Sequence, residues 1–218
     1  SGGINVKTND VLIQHIRVRV GDKLGAQGTR DPNLSDGIII HGPADNSGKP
    51  AVYNVVIDHC SVSWTIDENM ATWFPGVRDV TIRNCFITEA LSNAGHPDGG
   101  DHSKGFLVGD HTYRIAVIGN LFAHNGERSP EIKGDVSLLF ANNFIYNAGN
   151  AATNFHDGRK SGPTSASLIG NVYVPGPSNK ADLAPAISVG VYIKGSMPDG
   201  TKIFLDDNKA PGVSTACG

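Results

Sequence analysis

The chain has 218 residues, of which 27 are glycine, 12 are proline and 18% are charged. This length suits one substantial core, and this composition favours short strands joined by turns over long helices. The formal net charge of -3 gives no reason to expect a nucleic acid as partner, and no apolar run approaches the roughly 18 residues that cross a bilayer. We therefore expect one all-β domain, residues 1–218, that binds neither nucleic acids nor membranes.

A six-residue pattern recurs along the chain. Each copy has apolar residues two positions apart, followed by a polar or small turn. The copies lie at 11–16, 55–60, 80–85, 115–120, 138–143, 166–171 and 203–208. Because their spacing varies, a basic coil of roughly 22–25 residues receives insertions of different length. Such a repeat is typical of a solenoid, in which each coil buries its apolar face by stacking on its neighbours.

The sixth position of the repeat forms one column when the copies are aligned. In chain order it holds Ile16, Cys60, Cys85, Asn120, Asn143, Asn171 and Asn208. Asparagines in register can pass side-chain hydrogen bonds between coils about 4.8 Å apart, and they tolerate the left-handed bend that turns a coil. The column predicts an asparagine ladder in a parallel β-helix, since the alternative, a β-sandwich, has no need for one residue type at coil intervals.

The cysteines Cys60, Cys85 and Cys217 do not make a disulfide framework by their number. Cys60 and Cys85 continue the asparagine column, so we expect them in adjacent coils, pointing inward as small apolar side chains. Strand spacing exceeds the Cβ separation of about 3.8 Å that is typical of a disulfide. Stacked free thiols are therefore favoured, and a bridge remains the alternative.

The insertions are polar and rich in turns, and the two largest cover residues 21–50 and 88–112. The ionisable residues of interest in the insertions and turns are Asp36, Asp67, Glu68, Lys104, Arg128 and Lys133. Segments that follow the same strand in successive coils lie side by side, so these groups can converge on one lateral groove. Taken singly, the acids and lysines are more typical of solvated turns, and Arg128 is equally compatible with a structural salt bridge.

Carboxylates at this density favour a hard, oxygen-seeking ion such as Ca²⁺. Zinc is not indicated by the spacing of the histidines or cysteines. The histidines lack the arrangement of an HExxH pair, and no cysteine pair has CxxC spacing. The sequence therefore predicts a calcium site in the groove, completed by carbonyl and water oxygens.

Several stretches resemble the pectate lyase family of polysaccharide lyases. They are 9–22, 56–69, 120–130 and 140–147. The second contains Asp-His-Cys-Ser-Val-Ser-Trp, and the third contains Asn-Leu-Phe-Ala-His-Asn followed by Arg-Ser-Pro. The resemblance runs in order over about residues 2–150, and beyond this only the coil rhythm continues.

The resemblance implies a right-handed parallel β-helix that binds polygalacturonate in a groove beside one sheet. It also implies that Ca²⁺ holds the uronate carboxylate while an arginine base cleaves the pectin chain by β-elimination. Position by position, Arg128 corresponds to that base, and Lys104 and Lys133 correspond to basic residues that contact substrate. Asp36 and Glu68 correspond to calcium ligands. An enzyme of this kind is expected to be a secreted monomer.

Departures from the family pattern concern the calcium site above all. Leu34 and Thr72 stand where many members carry acids, so Asp67 or the substrate would complete the ligands, and Glu131 replaces a common arginine. An arginine base requires a lowered pKa. Crowding of Arg128 by Ca²⁺ and two lysines would lower that pKa, which predicts an alkaline pH optimum.

Two other functions remain open. A polysaccharide hydrolase on the same fold would need paired carboxylates, for which Asp98 and Asp101 are the candidates. A non-catalytic carbohydrate-binding β-helix is the second alternative, supported by the weakened calcium set. The chain begins within what resembles the first complete coil, so we also expect it to lack an N-terminal cap.

Overall fold

The computed structural model describes residues 2–22, 36–43, 52–73, 75–96, 101–179, 186–189 and 197–211. Within these ranges the chain forms twenty strands and no helix. No helix able to span a bilayer is therefore found among the described residues. The strands form three sheets, and neighbouring strands pair in parallel. The predicted all-β fold, a right-handed parallel β-helix, is confirmed.

Successive strands of the chain enter the three sheets in rotation. Sheet A contains β1 (Ile4–Val6), β4 (Ile38–His41), β7 (Glu68–Trp73), β10 (Lys104–Val108), β13 (Glu131–Ile132), β16 (Thr153–Phe155) and β19 (Ile187–Val189). Sheet B contains β2 (Val11–Gln14), β5 (Tyr53–Asp58), β8 (Arg78–Arg83), β11 (Tyr113–Ile118), β14 (Ser137–Ala141), β17 (Ser165–Ile169) and β20 (Lys202–Asp206). Sheet C contains β3 (Arg17–Arg19), β6 (Ser61–Ser63), β9 (Phe86–Thr88), β12 (Leu121–Ala123), β15 (Phe144–Tyr146) and β18 (Val172–Val174).

The corner that follows each sheet B strand is made by one left-handed residue. It is the fifth residue of the repeat, with φ of 47–67°, and in chain order it is His15, His59, Asn84, Gly119, Asn142, Gly170 and Asp207. Glycine and asparagine adopt this conformation most readily, and aspartate and histidine are also enriched there. The bend therefore lies one residue before the sixth-position asparagines, so the prediction that those asparagines form it is wrong. The left-handed residue turns the chain so that the next side chain points into the coil.

The ladder asparagines are buried and joined from coil to coil. The backbone N–H of Asn120 donates to Oδ1 of Asn143 at 2.9 Å, and Nδ2 of Asn120 donates to the same oxygen at 3.0 Å. Asn143 makes the same pair of bonds to Asn171, and Asn171 makes them to Asn208. The other amide hydrogen of each residue is donated to a backbone carbonyl of the preceding coil. The predicted asparagine ladder is confirmed.

The two buried cysteines continue this ladder as free thiols. The backbone N–H of Cys85 donates to Oδ1 of Asn120 at 2.9 Å, and that of Cys60 donates to Sγ of Cys85 at 3.4 Å. Burial raises the pKa of the Cys85 thiol to about 12, so the thiol stays protonated and unreactive. The preference for stacked thiols over a bridge is confirmed for this pair. Cys217 lies outside the described residues.

The interior is a stack of apolar side chains to which all three sheets contribute. Phe106 comes from sheet A, Phe122 from sheet C and Phe140 from sheet B, and all three are fully buried. The ring centroids of Phe122 and Phe140 lie 5.7 Å apart. Because side chains alternate along a strand, the neighbours of these residues point away from the core. On sheet A that outer face carries the functional candidates.

Removing one ladder asparagine should destabilise the coil stack. Asn143→Ala would remove both bonds that Oδ1 of Asn143 accepts from Asn120 and the bond that its Nδ2 donates to the carbonyl of Val117, at a cost of about 3 kcal/mol in the free energy of unfolding. Urea denaturation measures this difference. Asn5→Ala, at an exposed position of β1, is the matched control and should change stability by less than about 0.5 kcal/mol. Equal stabilities of the two variants would contradict a structural role for the ladder.

Candidate functional site

The predicted site residues meet where the strands of sheet A begin. Asp36 lies two residues before β4, Glu68 begins β7 and Lys104 begins β10. Lys104 is in register with Glu68 and forms a parallel backbone β-bridge with Glu127, the residue before Arg128. Parallel strands bring their first residues to the same edge of a sheet, so successive coils contribute side chains to one surface. We call this surface the sheet A edge.

Three carboxylates lie together at the sheet A edge: Asp36, Asp67 and Glu68, hereafter the carboxylate triad. One oxygen from each lies within 4.8 Å of the others. Oδ1 of Asp36 accepts a hydrogen bond from the backbone N–H of Glu68 at 2.9 Å. Burial, together with the charge of Asp67, raises the pKa of Asp36 to about 7. Burial also raises the pKa of Glu68, although Arg128 opposes this, so the negative charge of the triad is incompletely offset.

Arg128 contacts the triad directly. Its Nη1 forms an ion pair with Glu68, and its Nε lies 3.2 Å from Oε2 of Glu131 and 3.8 Å from Oε1 of Glu127. A Cβ at Gly105 would lie 2.4 Å from the carbonyl oxygen of Arg128, so glycine is needed for this close approach of β10. The backbone of Arg128 thus packs closely on β10, and three carboxylates hold its guanidinium.

The charge around Arg128 differs from the sequence-based expectation. Burial opposes the charged guanidinium, but Glu68, Glu131 and Glu127 outweigh this effect and raise the pKa of Arg128 above its ordinary value. The expected lowering of this pKa requires Ca²⁺, whose positive charge would oppose these glutamates. The two lysines do not supply the lowering by themselves, because each is paired with a glutamate.

Lys104 and Lys133 lie on either side of Arg128 and are linked to it through shared glutamates. Lys104 pairs with Glu127, and Lys133 pairs with Glu131. Burial works against ionisation of Glu131, but Arg128 and Lys133 together hold its pKa below the usual range. The sequence offered little signal for these glutamates, because an acid beside a basic residue is usually a solvated surface group. They instead keep three cations close together.

The outer face of sheet A continues beyond these charges with unpartnered polar groups. Three aligned residues on neighbouring strands point away from the core: Glu131, Asn154 and Ser188. The residues that follow the first two, Ile132 and Phe155, are buried in the core. Oδ1 of Asn154 and Oγ of Ser188 are buried without a hydrogen-bond partner. Both atoms therefore carry unsatisfied hydrogen-bonding capacity on the outer face of sheet A, at positions closed to solvent.

His156 belongs to the same face. Its Nδ1 lies 3.3 Å from Nζ of Lys133, while its Nε2 is buried without a hydrogen-bond partner. Burial and the charge of Lys133 lower the pKa of His156, which favours the neutral imidazole. Nothing in the sequence pattern singled out this histidine, because the coil rhythm alone does not show which loop covers which strand.

The positions that departed from the family pattern have different outcomes. Thr72 is fully buried in register with Ile40 and Val108, whose side chains belong to the core, so it does not line the groove. Leu34 lies outside the described residues. Asp98 does as well, so the pair that it would form with Asp101 in a hydrolase is not placed.

The carboxylate triad is a group that could hold a metal ion. Calcium takes oxygen ligands at about 2.3–2.6 Å, so oxygens that share one ion lie up to about 5 Å apart, as the triad oxygens do. The raised pKa values of Asp36 and Glu68 indicate that a bound cation would relieve repulsion there. Three protein ligands leave several positions for water or a substrate carboxylate.

Comparison with known proteins identifies relatives of one kind. No family model matches the chain. Its sequence is similar to the probable pectate lyase C of Aspergillus flavus, with 30% identity over 169 residues that make up 78% of this chain and 33% of that protein. The probable pectate lyase C of Aspergillus terreus is 31% identical over 170 residues, 78% of this chain and 34% of that protein. The chain spans about a third of the length of these curated relatives.

Neutralising one acid of the triad should stabilise the protein when divalent cations are removed. A carboxyl with a raised folded-state pKa costs stability as pH rises from its unfolded value, near 3.8, to its folded value, about 7 for Asp36. Asp36→Asn removes this loss. Above neutral pH it should raise the free energy of unfolding of the chelator-treated protein by about 2 kcal/mol. Thermal unfolding between mildly acidic and alkaline pH measures the effect. The exposed Asp206→Asn is the control, and an identical pH profile for wild type and Asp36→Asn would contradict the prediction.

Proposed function

The chain is related to the pectate lyase family, and from this relationship we propose that it cleaves an acidic polysaccharide of the polygalacturonate type by β-elimination. The observation that carries the proposal is the contact of Arg128 with the carboxylate triad at the sheet A edge. This arrangement puts a basic residue beside groups suited to hold a cation. Removal of a proton next to a carboxylate requires a base and a nearby positive charge, and this arrangement can supply both.

The reaction needs a base, charge stabilisation and a leaving group. The base removes the proton at C5 of a uronate residue, and negative charge develops on its carboxylate. The bond between C4 and the glycosidic oxygen then breaks, a double bond forms between C4 and C5, and the departing oxygen takes up a proton. The step becomes feasible when cations stabilise the developing charge.

We assign the role of base to Arg128. Its guanidinium must lose a proton before it can accept one, and the glutamates around it oppose that loss in the metal-free site. Base function therefore depends on offsetting these carboxylates. Deprotonation also becomes easier as pH rises, so turnover is expected to increase into the alkaline range.

The carboxylate triad would hold Ca²⁺ through Asp36, Asp67 and Glu68. The ion would supply positive charge that stabilises the substrate carboxylate and offsets the acids that raise the pKa of Arg128. Lys104 and Lys133 would contact further substrate carboxylates, exchanging their glutamate partners for the ligand. This exchange keeps both lysines charged and limits the cost of their burial.

Unpartnered groups further along sheet A support an extended binding site. Asn154 and His156 add buried polar groups to the face beside Lys133, and groups of this kind suit the hydroxyl and carboxyl groups of a sugar chain. A polymer of this kind cannot enter a cell intact, so we propose that the protein is secreted. We also propose that it acts as a monomer, since the groove is built from one chain.

Replacing Arg128 should remove turnover while leaving polysaccharide binding. Arg128→Lys keeps the positive charge beside Glu68 and Glu131 but changes the geometry and proton affinity of the base, so turnover should fall by about 10²–10⁴-fold. Ultraviolet absorbance of the unsaturated uronide measures turnover on polygalacturonate, and affinity electrophoresis measures binding. Arg114→Lys, at an exposed ion pair on sheet B, is the matched control.

The wild-type result separates this proposal from the alternatives. New reducing ends without ultraviolet absorbance would indicate a hydrolase. Binding without either product would indicate a non-catalytic β-helix. Full turnover of Arg128→Lys would contradict the role of base for Arg128 even if the protein is a lyase.

Removal of divalent cations should abolish turnover, and added Ca²⁺ should restore it. Glu68→Gln removes one charged ligand and should raise the Ca²⁺ concentration needed for half-maximal activity by about 10–100-fold. A calcium titration of initial rates compares this variant with Asp206→Asn, whose acid is exposed on β20. A wild-type rate that is indifferent to chelator would exclude the calcium part of the proposal.

A further inference from the structure

A second group of candidate metal ligands adjoins the carboxylate triad. Nε2 of His96 lies 3.2 Å from Oδ2 of Asp67, and Nδ1 of His102 lies 3.1 Å from Oδ1 of the same residue. The two imidazole rings are stacked with their centroids 3.6 Å apart. One ligand atom from each of the three residues lies within 4.8 Å of the others. We call Asp67, His96 and His102 the histidine triad.

We propose that the histidine triad binds a borderline transition-metal ion of the Zn²⁺ class. Zinc bonds to nitrogen and oxygen at about 2.0–2.1 Å, so neighbouring ligand atoms of a tetrahedral site are about 3.3 Å apart. Each imidazole nitrogen lies at about this separation from one of the two oxygens of Asp67, and one ligand atom from each residue lies within 4.8 Å of the others. Three protein ligands leave the fourth position to water or a ligand.

The donor set distinguishes this site from the carboxylate triad. Two imidazole nitrogens with one carboxylate suit zinc, copper or nickel, whereas an all-oxygen set suits calcium. Asp67 is the one residue that the two triads share. The inference is independent of the proposed lyase activity, because ion binding can be measured without any polysaccharide.

The ligands are held in place before any ion arrives. His96 is buried, with 5% of its side chain exposed, and His102 is largely buried. The backbone N–H of His102 donates to the carbonyl of Ser92 at 3.1 Å, which fixes the end of the connecting loop. The hydroxyl of Thr65 donates to the carbonyl of Asp67 at 3.0 Å. An ion would therefore meet an arranged site rather than three mobile side chains.

Other histidine–carboxylate pairs in the described ranges provide a comparison. His59 pairs with Asp58, and His111 pairs with Asp135, each with Nδ1 to oxygen at 2.7 Å. Neither pair belongs to a group of three ligand atoms close enough to share an ion, among the residues that the structure describes. A single imidazole and a carboxylate bind zinc weakly, so these pairs should not compete with the histidine triad.

Isothermal titration of the chelator-treated protein with Zn²⁺ at neutral pH tests the inference. The wild type should bind one equivalent, and His96→Gln or His102→Gln should weaken the affinity by about 100-fold or more. His111→Gln is the matched control, because it removes an imidazole that also pairs with an aspartate, and it should bind like wild type. Glu68→Gln leaves all three residues of the histidine triad in place, so it should change the affinity far less than either histidine variant.

X-ray absorption of the wild-type zinc complex supplies a readout that needs no variant. Two imidazole nitrogens per ion are expected in the coordination shell. The inference is overturned if the wild type binds no stoichiometric Zn²⁺, or if the shell contains oxygen without imidazole. It is also overturned if both histidine variants are folded by circular dichroism and bind as tightly as wild type, or if Glu68→Gln alone abolishes binding.

Discussion

The register between stacked coils is the constraint on which the candidate site depends. Asp36, Glu68, Lys104 and Arg128 come from successive coils and meet because each coil is placed on the next without a slip. The asparagine ladder and the two cysteines that continue it join these coils, and a coil displaced against Asn143 would lose both bonds to its side-chain amide at once. Buried polar groups are costly when unpaired, so the ladder penalises every other register.

The same stacking produces the charge pattern of the site. Lysines and glutamates lie side by side at the sheet A edge, so Glu127 pairs with Lys104 and Glu131 pairs with Lys133. The exception is the carboxylate triad, where burial raises the pKa of Asp36 and Glu68 despite the contact with Arg128. A divalent cation would stabilise the ionised carboxylates of the triad, whereas each paired lysine can exchange its glutamate for an anionic ligand.

The fold could be predicted from sequence because one column of residues reports directly on the repeat. Asn120, Asn143 and Asn171 revealed both the coil spacing and the ladder, although the left-handed corner lies one residue before them. The gathering of the acids followed from the same register. The direction of the pKa shift of Arg128 could not be predicted in this way. It depends on which acids pair with Arg128 and with each lysine, and spacing along the chain carries no information on that pairing.

The histidine triad could not be predicted from the sequence for a related reason. His96 and His102 are six residues apart, a spacing that matches no helical metal pair, and their convergence depends on the loop before β10 returning to Asp67. Asp67 has two oxygens, and an ion held by the imidazoles would draw at least one of them away from Asp36 and Glu68. The two sites therefore cannot be independent: whatever strengthens the hold of the histidines on Asp67 removes negative charge from the place where calcium is proposed to bind.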